Sequence, residues 1–235
     1  PGVPEKVMST VPTSAEAPLV CWNCHERTLG PHFCSGCGKL LQLPQGIDYF
    51  ALFEMPRQLW IDMSSLEQKF LKLSWKLHPD NFVNSSEQER ELSLKRSSEL
   101  NDAYRTLREP VARVEYLLAI EGERKEGEKK QQAPPELLEE VFELNESLDE
   151  LREAKASGED LAELKAKLEA AEKSFQVKLG EVDGELRAAA QEWDAALEAD
   201  RATRKKIMAR LNELLNRRSY IRNLVTNVAK ELAEV

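Results

Sequence analysis

Two groups of residues in this chain have types and spacing suited to chemistry: four cysteines and one histidine–proline–aspartate tripeptide. Cys21-Trp22-Asn23-Cys24 and Cys34-Ser35-Gly36-Cys37 are two Cys-x-x-Cys knuckles nine residues apart, and the chain has no other cysteine. Each knuckle can bring two thiolates to one ion, and two knuckles complete a tetrahedron, the closed geometry of structural zinc. Gly38 after the second knuckle suits a tight turn. An iron–sulfur cluster would use the same four thiolates. Disulfides require an oxidising compartment, and nothing in the sequence points to secretion. Cys21-Trp22-Asn23-Cys24-His25 also matches a haem-attachment pattern, but that leaves Cys34 and Cys37 without a role. Zinc is therefore the expected metal, on Cys21, Cys24, Cys34 and Cys37. His25 and His32 are expected at the surface or just outside the ligands. His78-Pro79-Asp80 offers an imidazole and a carboxylate, but no nucleophile or second base accompanies them, so no enzyme is expected.

The elements that position the tripeptide are readable around it. Ser64 to Leu77 has the pattern of one amphipathic helix, with Ser64 and Glu67 as a capping box. Leu66, Phe70, Leu73 and Leu77 form its apolar stripe, and Lys69, Lys72 and Lys76 a basic one. Pro79 ends the helix and leaves His78 and Asp80 at the head of a loop. A second helix is expected from Ser86, again with a capping box (Ser86 and Glu89), to about Arg108. Leu92, Leu100, Ala103, Tyr104 and Leu107 give it an apolar face. Asp48-Tyr49-Phe50-Ala51-Leu52-Phe53 reads as a short capped helix with aromatic anchors.

Size and composition narrow the class. The 235 residues are 41% hydrophobic, 32% charged and only 6% aromatic, with net charge −9. That balance suits small helical domains rather than one large enzyme core. The acidic charge disfavours nucleic acid, so the basic stripe is a local feature suited to an acidic protein surface. No run approaches the roughly 18 apolar residues of a membrane span. Residues 1–18 are polar and rich in Pro, Ser and Thr, and disorder is expected there. They show neither a signal-peptide nor a transit pattern. This favours the bacterial cytoplasm, with the mitochondrial matrix as the alternative.

Beyond Gly122 the chain turns charged, and residues 122–135 read as a solvated linker. Leu137, Val141, Leu144, Leu148 and Leu151 then mark a packing seam. A second pattern runs Leu161, Leu164, Leu168, Ala171, Phe175, Leu179, Val182, Leu186, and continues past Gly180 and Gly184 to Trp193 and Leu197. A third runs Ile207, Leu211, Leu214, Ile221, Val225, Val228, Leu232. Together they predict an antiparallel three-helix bundle with its last turn near Asp200. Leu138 and Phe142 lie one position beyond seam residues, bordered by Glu139, Glu143 and Glu146. They fit either a widened core stripe or an exposed protein-binding patch with an acidic rim. Tyr220 is likewise one step off its seam.

These motifs carry a family resemblance. The helical hairpin around His78-Pro79-Asp80, with Asn101-Asp102-Ala103-Tyr104-Arg105-Thr106-Leu107, resembles a J-domain. The order of cysteine knuckles, J-domain and acidic bundle is similar to the HscB family of co-chaperones for iron–sulfur cluster assembly. The residues carrying it are Cys21-Trp22-Asn23-Cys24 with Phe33-Cys34, Asp48 to Phe53, Leu107-Arg108-Glu109-Pro110 with Arg113 to Leu118, and Leu137 to Glu146. The resemblance covers nearly all of residues 19–235.

The resemblance implies a mainly α chain. Together with the composition and periodicity read above, it gives a start expected to be disordered (1–18), a zinc-ribbon-like four-cysteine segment (19–43), a J-domain (44–121), a charged linker (122–135) and a three-helix bundle (136–235). It implies that His78, Pro79, Asp80, Lys69, Lys72 and Lys76 meet a DnaK- or HscA-type ATPase. It also implies that Leu138, Phe142, Glu143, Glu146 and Tyr220 meet an IscU-type scaffold protein. The long loop at 122–133 and the long last helices depart from the family pattern. A J-protein with a different client is the alternative function.

Overall fold

The computed structural model describes residues 19–28, 32–43, 46–124 and 134–234. The start expected to be disordered, and most of the charged linker, lie outside them. The chain divides into two compact units, Pro1–Arg113 and Val114–Val235.

The first unit opens with a two-stranded antiparallel sheet, β1 (Leu19–Val20) and β2 (Arg27–Thr28), paired Leu19 to Thr28 and Val20 to Arg27. A single bridge, Phe33 to Leu40, closes the second knuckle in the same antiparallel sense. α1 (Tyr49–Leu52) starts at Asp48, whose carboxylate accepts from the Ala51 N–H at 2.8 Å and takes the Arg57 guanidinium with its other oxygen. α2 (Met63–Leu77) and α3 (Glu87–Arg108) form the hairpin. Phe50, Leu52, Phe53, Leu66, Leu77, Leu100, Ala103 and Leu107 are buried in this unit. Each large side chain among them contributes roughly 1.5–3 kcal/mol through the water it sheds. Phe70 stacks on Tyr104 with centroids 4.1 Å apart, and Arg108 covers the Tyr104 ring at 5.7 Å.

One boundary differs from expectation. α2 is capped by Asp62, which accepts from the Ser64 N–H at 3.1 Å, so Ser64 lies inside the first turn instead of capping it. Aspartate caps as well as serine, and its charge also complements the helix dipole. Ser86 does cap α3, accepting from the Glu89 N–H at 3.3 Å. At the far end of α3, Arg113 is buried and donates to the carbonyls of Leu107 and Leu59. It satisfies acceptors that a helix end would otherwise leave bare. Pro110 opens α4 (Pro110–Ile120), where its missing N–H costs nothing.

The second unit contains three long helices, α5 (Leu138–Ser157), α6 (Ala162–Ala195) and α7 (Arg201–Ala233). The ion pairs Glu140–Lys178 and Glu150–Lys167 run in opposite chain directions, as do Asp183–Arg218 and Glu192–Arg210, so neighbours in sequence are antiparallel. Leu137, just before α5, and the seam residues Val141, Leu144, Leu148 and Leu151 within it are buried, as are Phe175, Val182, Leu186 and Trp193 of α6 and Leu211, Leu214, Ile221 and Val228 of α7. Gly180 and Gly184 sit within α6. The turn falls before Asp200, which caps α7 by accepting from the N–H groups of Ala202 and Thr203 at 2.8 and 3.0 Å. The Thr203 hydrogen bonds hold its carboxyl below the usual range. No helix among the described residues is long and apolar enough to cross a membrane.

Candidate functional site

The two cysteine knuckles repeat one backbone pattern. In the first, the Cys21 N–H bonds the Glu26 carbonyl and the Cys21 carbonyl accepts from His25. In the second, the Cys34 N–H bonds Lys39 and its carbonyl accepts from Gly38. His25 and Gly38 occupy equivalent positions, and both are left-handed, with φ of 59° and 72°. His25 thus makes the turn that glycine makes more readily in its twin. It is exposed, as expected. His32 is not: it is buried with Nε2 3.0 Å from the Leu52 carbonyl, to which it donates. Burial lowers its pKa and favours the neutral ring. A histidine that packs under α1 gives no local periodic signal, which is why the sequence offers only a place at the surface or just outside the ligands.

All four Sγ atoms lie within 4.8 Å of one another. Cys21 and Cys37 are 3.6 Å apart and Cys24 and Cys34 are 3.5 Å apart. The edge of a tetrahedron with Zn–S bonds of about 2.3 Å is about 3.8 Å, so the cluster fits a single ion bound by four sulfurs. The Lys39 backbone N–H holds the Cys37 thiol down to about 6, helped by Cys24 and Asn23. The Glu26 backbone N–H acts in the same sense on Cys24, but desolvation and the neighbouring cysteines outweigh it and push that thiol up to about 12. A cation removes this conflict by stabilising every thiolate together.

The second site is the loop between α2 and α3. Pro79–Phe82 forms a 3₁₀ turn anchored by buried Phe82. His78 Nδ1 accepts from the Asp80 N–H at 3.3 Å and lies 3.5 Å from the Asp80 carboxylate. Asn81 donates to the Trp75 carbonyl at 2.6 Å. The turn is therefore held from both sides while the Asp80 side chain is 85% exposed.

The three lysines of the basic stripe differ. Lys69 donates to the carbonyls of Phe53 and Glu54 at 2.9 and 3.3 Å, closing the end of α1. Lys72 and Lys76 are exposed. Beside them the structure exposes two residues that the sequence reading passes over, Leu71 and Trp75, the latter 79% exposed. Their signal is an apolar pair four apart and off the seam.

The third site is on α5, where Leu138 is 55% exposed and Phe142 71% exposed. Of the two readings that the pattern allows, the structure selects the exposed patch. Glu139, Glu143 and Glu146 are exposed around it. Phe142, Asn145, Glu146, Asp149, Glu150 and Glu153 line a shallow acidic depression that continues along the helix. Tyr220 is half-buried on α7. The pairs Arg152–Glu231 and Lys155–Glu234 both span 79 positions, which sets α5 and α7 parallel and puts Tyr220 about level with Val141. The register therefore brings Tyr220 to the same end of the bundle as Leu138 and Phe142.

A helical hairpin whose loop opens His-Pro-Asp, joined to a helical bundle with an exposed apolar patch, defines a J-type co-chaperone. Comparison with known proteins narrows the class. No family model matches the chain. The co-chaperone HscB homologue of Vibrio vulnificus is 35% identical over 169 residues, covering 72% of this chain and 95% of that protein. That of Vibrio cholerae is 33% identical over 171 residues, 73% of this chain and 96% of the relative. The crystal structure of human co-chaperone HscB matches 92% of this chain and 99% of its own, with TM-score 0.59 and 26% identity. The chain belongs to the HscB family of co-chaperones. The bacterial relatives leave more than a quarter of it unmatched, whereas the human structure leaves less than a tenth.

Proposed function

We propose that the chain stimulates the ATPase of a DnaK- or HscA-type chaperone through its J-domain and delivers an IscU-type iron–sulfur scaffold protein through its bundle. The observation that carries this reading is the Asp80 carboxylate, exposed at the tip of a turn that His78, Pro79 and Asn81 hold in place. Asp80 engages a cationic group of the chaperone. Lys72 and Lys76 steer α2 to an acidic surface, and Trp75 with Leu71 supplies apolar area beside them. Lys69 acts indirectly, by holding the end of α1 against α2.

The scaffold docks on Leu138 and Phe142, with Glu143 and Glu146 as the polar rim and Tyr220 at its edge. No bond is made or broken on this chain, and its work is to place two partners together. Cys21, Cys24, Cys34 and Cys37 hold zinc, which supplies folding energy to a segment too small to bury a core. Four cysteines that hold a metal as thiolates instead of pairing as disulfides suit a reducing compartment, the bacterial cytoplasm or alternatively the mitochondrial matrix.

ATPase turnover of a DnaK-type chaperone, measured with an IscU-type scaffold and this protein, tests the reading. Stimulation that needs both the scaffold and Asp80 is the expected result. Stimulation indifferent to the scaffold moves the bundle to another client, and no stimulation by the folded protein removes the J-domain role.

A further inference from the structure

One face of α3 is buried yet polar. Glu89, Ser93 and Arg96 follow at steps of four and three, and all are 3% exposed or less. Buried charges need partners. For two of the three, those partners come from the cysteine module. Arg96 donates to the Leu41 carbonyl at 2.7 Å, and its other terminal nitrogen, which makes no hydrogen bond, lies 3.8 Å from the Glu99 carboxylate one turn on. Burial lowers its pKa to about 10, so it stays a cation at neutral pH. Glu89 takes Lys39 at 2.6 Å and is also the third helical residue of the α3 cap. Leu40 and Leu41 are buried, and Trp22 donates to the Leu40 carbonyl at 2.8 Å, which joins the first knuckle to the strand leaving the second.

The same face of α3 holds the loop. Ser93 and Ser97 donate to the Leu77 carbonyl at 2.7 and 3.0 Å. Leu77 is the last residue of α2 and immediately precedes His78. Short contacts therefore run from the metal knuckles to Leu41 and Lys39, to Arg96 and Glu89, and along α3 to the carbonyl that begins the His-Pro-Asp turn. The module and the hairpin belong to one compact unit.

We propose that the metal-bound cysteine module is a clamp on the J-domain, positioning the His78–Asp80 loop through Arg96 and Glu89 of α3. A chain without metal presents a loosened loop. The consequence for the chaperone rests on the function proposed above. Arg96 is a positioning residue: it touches the module and α3, and it acts on the partner only through the loop.

The test uses the full chain, metal-loaded and stripped with a chelator under reducing conditions. It reads metal content, amide hydrogen exchange over residues 77–100 and stimulated ATPase turnover. Stripping is expected to speed exchange in that segment by about tenfold or more, the effect of losing a hydrogen bond to a charged group. Turnover falls with it, while scaffold affinity is unchanged. Arg96→Leu reproduces the change with metal fully bound, and Arg96→Lys restores part of the protection. Stripping Arg96→Leu adds less than stripping the wild type. Lys39→Gln, which leaves Arg96 in place, gives a smaller change of the same kind.

Unchanged exchange and turnover in the stripped wild type would overturn the clamp. So would additive effects of stripping and Arg96→Leu, which would mean independent structural damage. If the metal-loaded protein fails to stimulate any chaperone, the docking reading falls, and exchange over residues 77–100 still decides the clamp.

Discussion

α2 in the first unit and α5 in the second each carry an apolar pair, four residues apart, outside the buried seam: Leu71 with Trp75, and Leu138 with Phe142. Both pairs face solvent. The charges beside them have opposite sign, Lys72 and Lys76 on α2 against Glu139, Glu143 and Glu146 on α5. Apolar burial is non-directional and does not tell one partner from another. Rim charge does, because a like-charged partner is repelled and an opposite one is drawn in. On the function proposed above, the two helices use similar apolar anchors and separate their partners by charge. The basic face stands out further because the whole chain has net charge −9. α2 has one feature that α5 lacks, the fixed turn that carries Asp80.

That difference ranks the expected effects. Asp80→Asn is the largest: ATPase stimulation is abolished and scaffold affinity is unchanged, since a neutral amide cannot replace the carboxylate at a cationic site. Loss of both activities together would indicate misfolding, which circular dichroism checks. Next comes Leu138→Ala with Phe142→Ala. At roughly 1.5–3 kcal/mol for each side chain, scaffold affinity falls by about two orders of magnitude or more. Stimulation without scaffold stays intact in that variant. An unchanged affinity by calorimetry would place the scaffold elsewhere on the bundle.

Trp75→Ala follows. An aromatic hot spot is worth about 2 kcal/mol or more, so chaperone affinity weakens by roughly thirtyfold. The indole fluorescence of the wild type blue-shifts on binding if Trp75 is buried there. Charge swaps at the rims give the smallest effect. Lys72→Glu with Lys76→Glu slows association with the chaperone, and Glu143→Lys with Glu146→Lys slows association with the scaffold, each by about tenfold at low salt. The difference shrinks as salt is raised. Salt-independent rates in stopped-flow mixing would mean that the rims do not select partners.

Much of the fold was legible because its signals are local. Ser86 and Asp48 cap the helices that follow them, Pro79 ends α2, and the seam through Leu137, Val141, Leu144, Leu148 and Leu151 is buried as its spacing implies. Gly180 and Gly184 did not break α6, because the apolar period continues across them and tertiary packing outweighs about 1 kcal/mol per glycine. The cysteine cluster was equally plain from spacing alone.

The remainder depended on contacts distant in sequence. Arg96 meets Leu41 across 55 positions and His32 meets Leu52 across 20, and neither leaves a periodic trace. Lys69 looked identical to Lys72 and Lys76 until the end of α1 came within its reach. Leu138 and Phe142 remained ambiguous because only the neighbouring helices decide whether an off-seam residue is covered. Leu71 and Trp75 posed the same question.

The central claim is that two faces of one chain hold two partners at once. Its most direct measurement is the scaffold-dependent ATPase turnover of the chaperone given an equimolar mixture of two variants, Asp80→Asn and Leu138→Ala with Phe142→Ala. Each variant keeps one arm intact. Turnover far below that of the same concentration of wild type is the predicted result, because neither chain can join scaffold to chaperone. Full wild-type turnover from the mixture would contradict the claim, since the two arms would then work from separate chains.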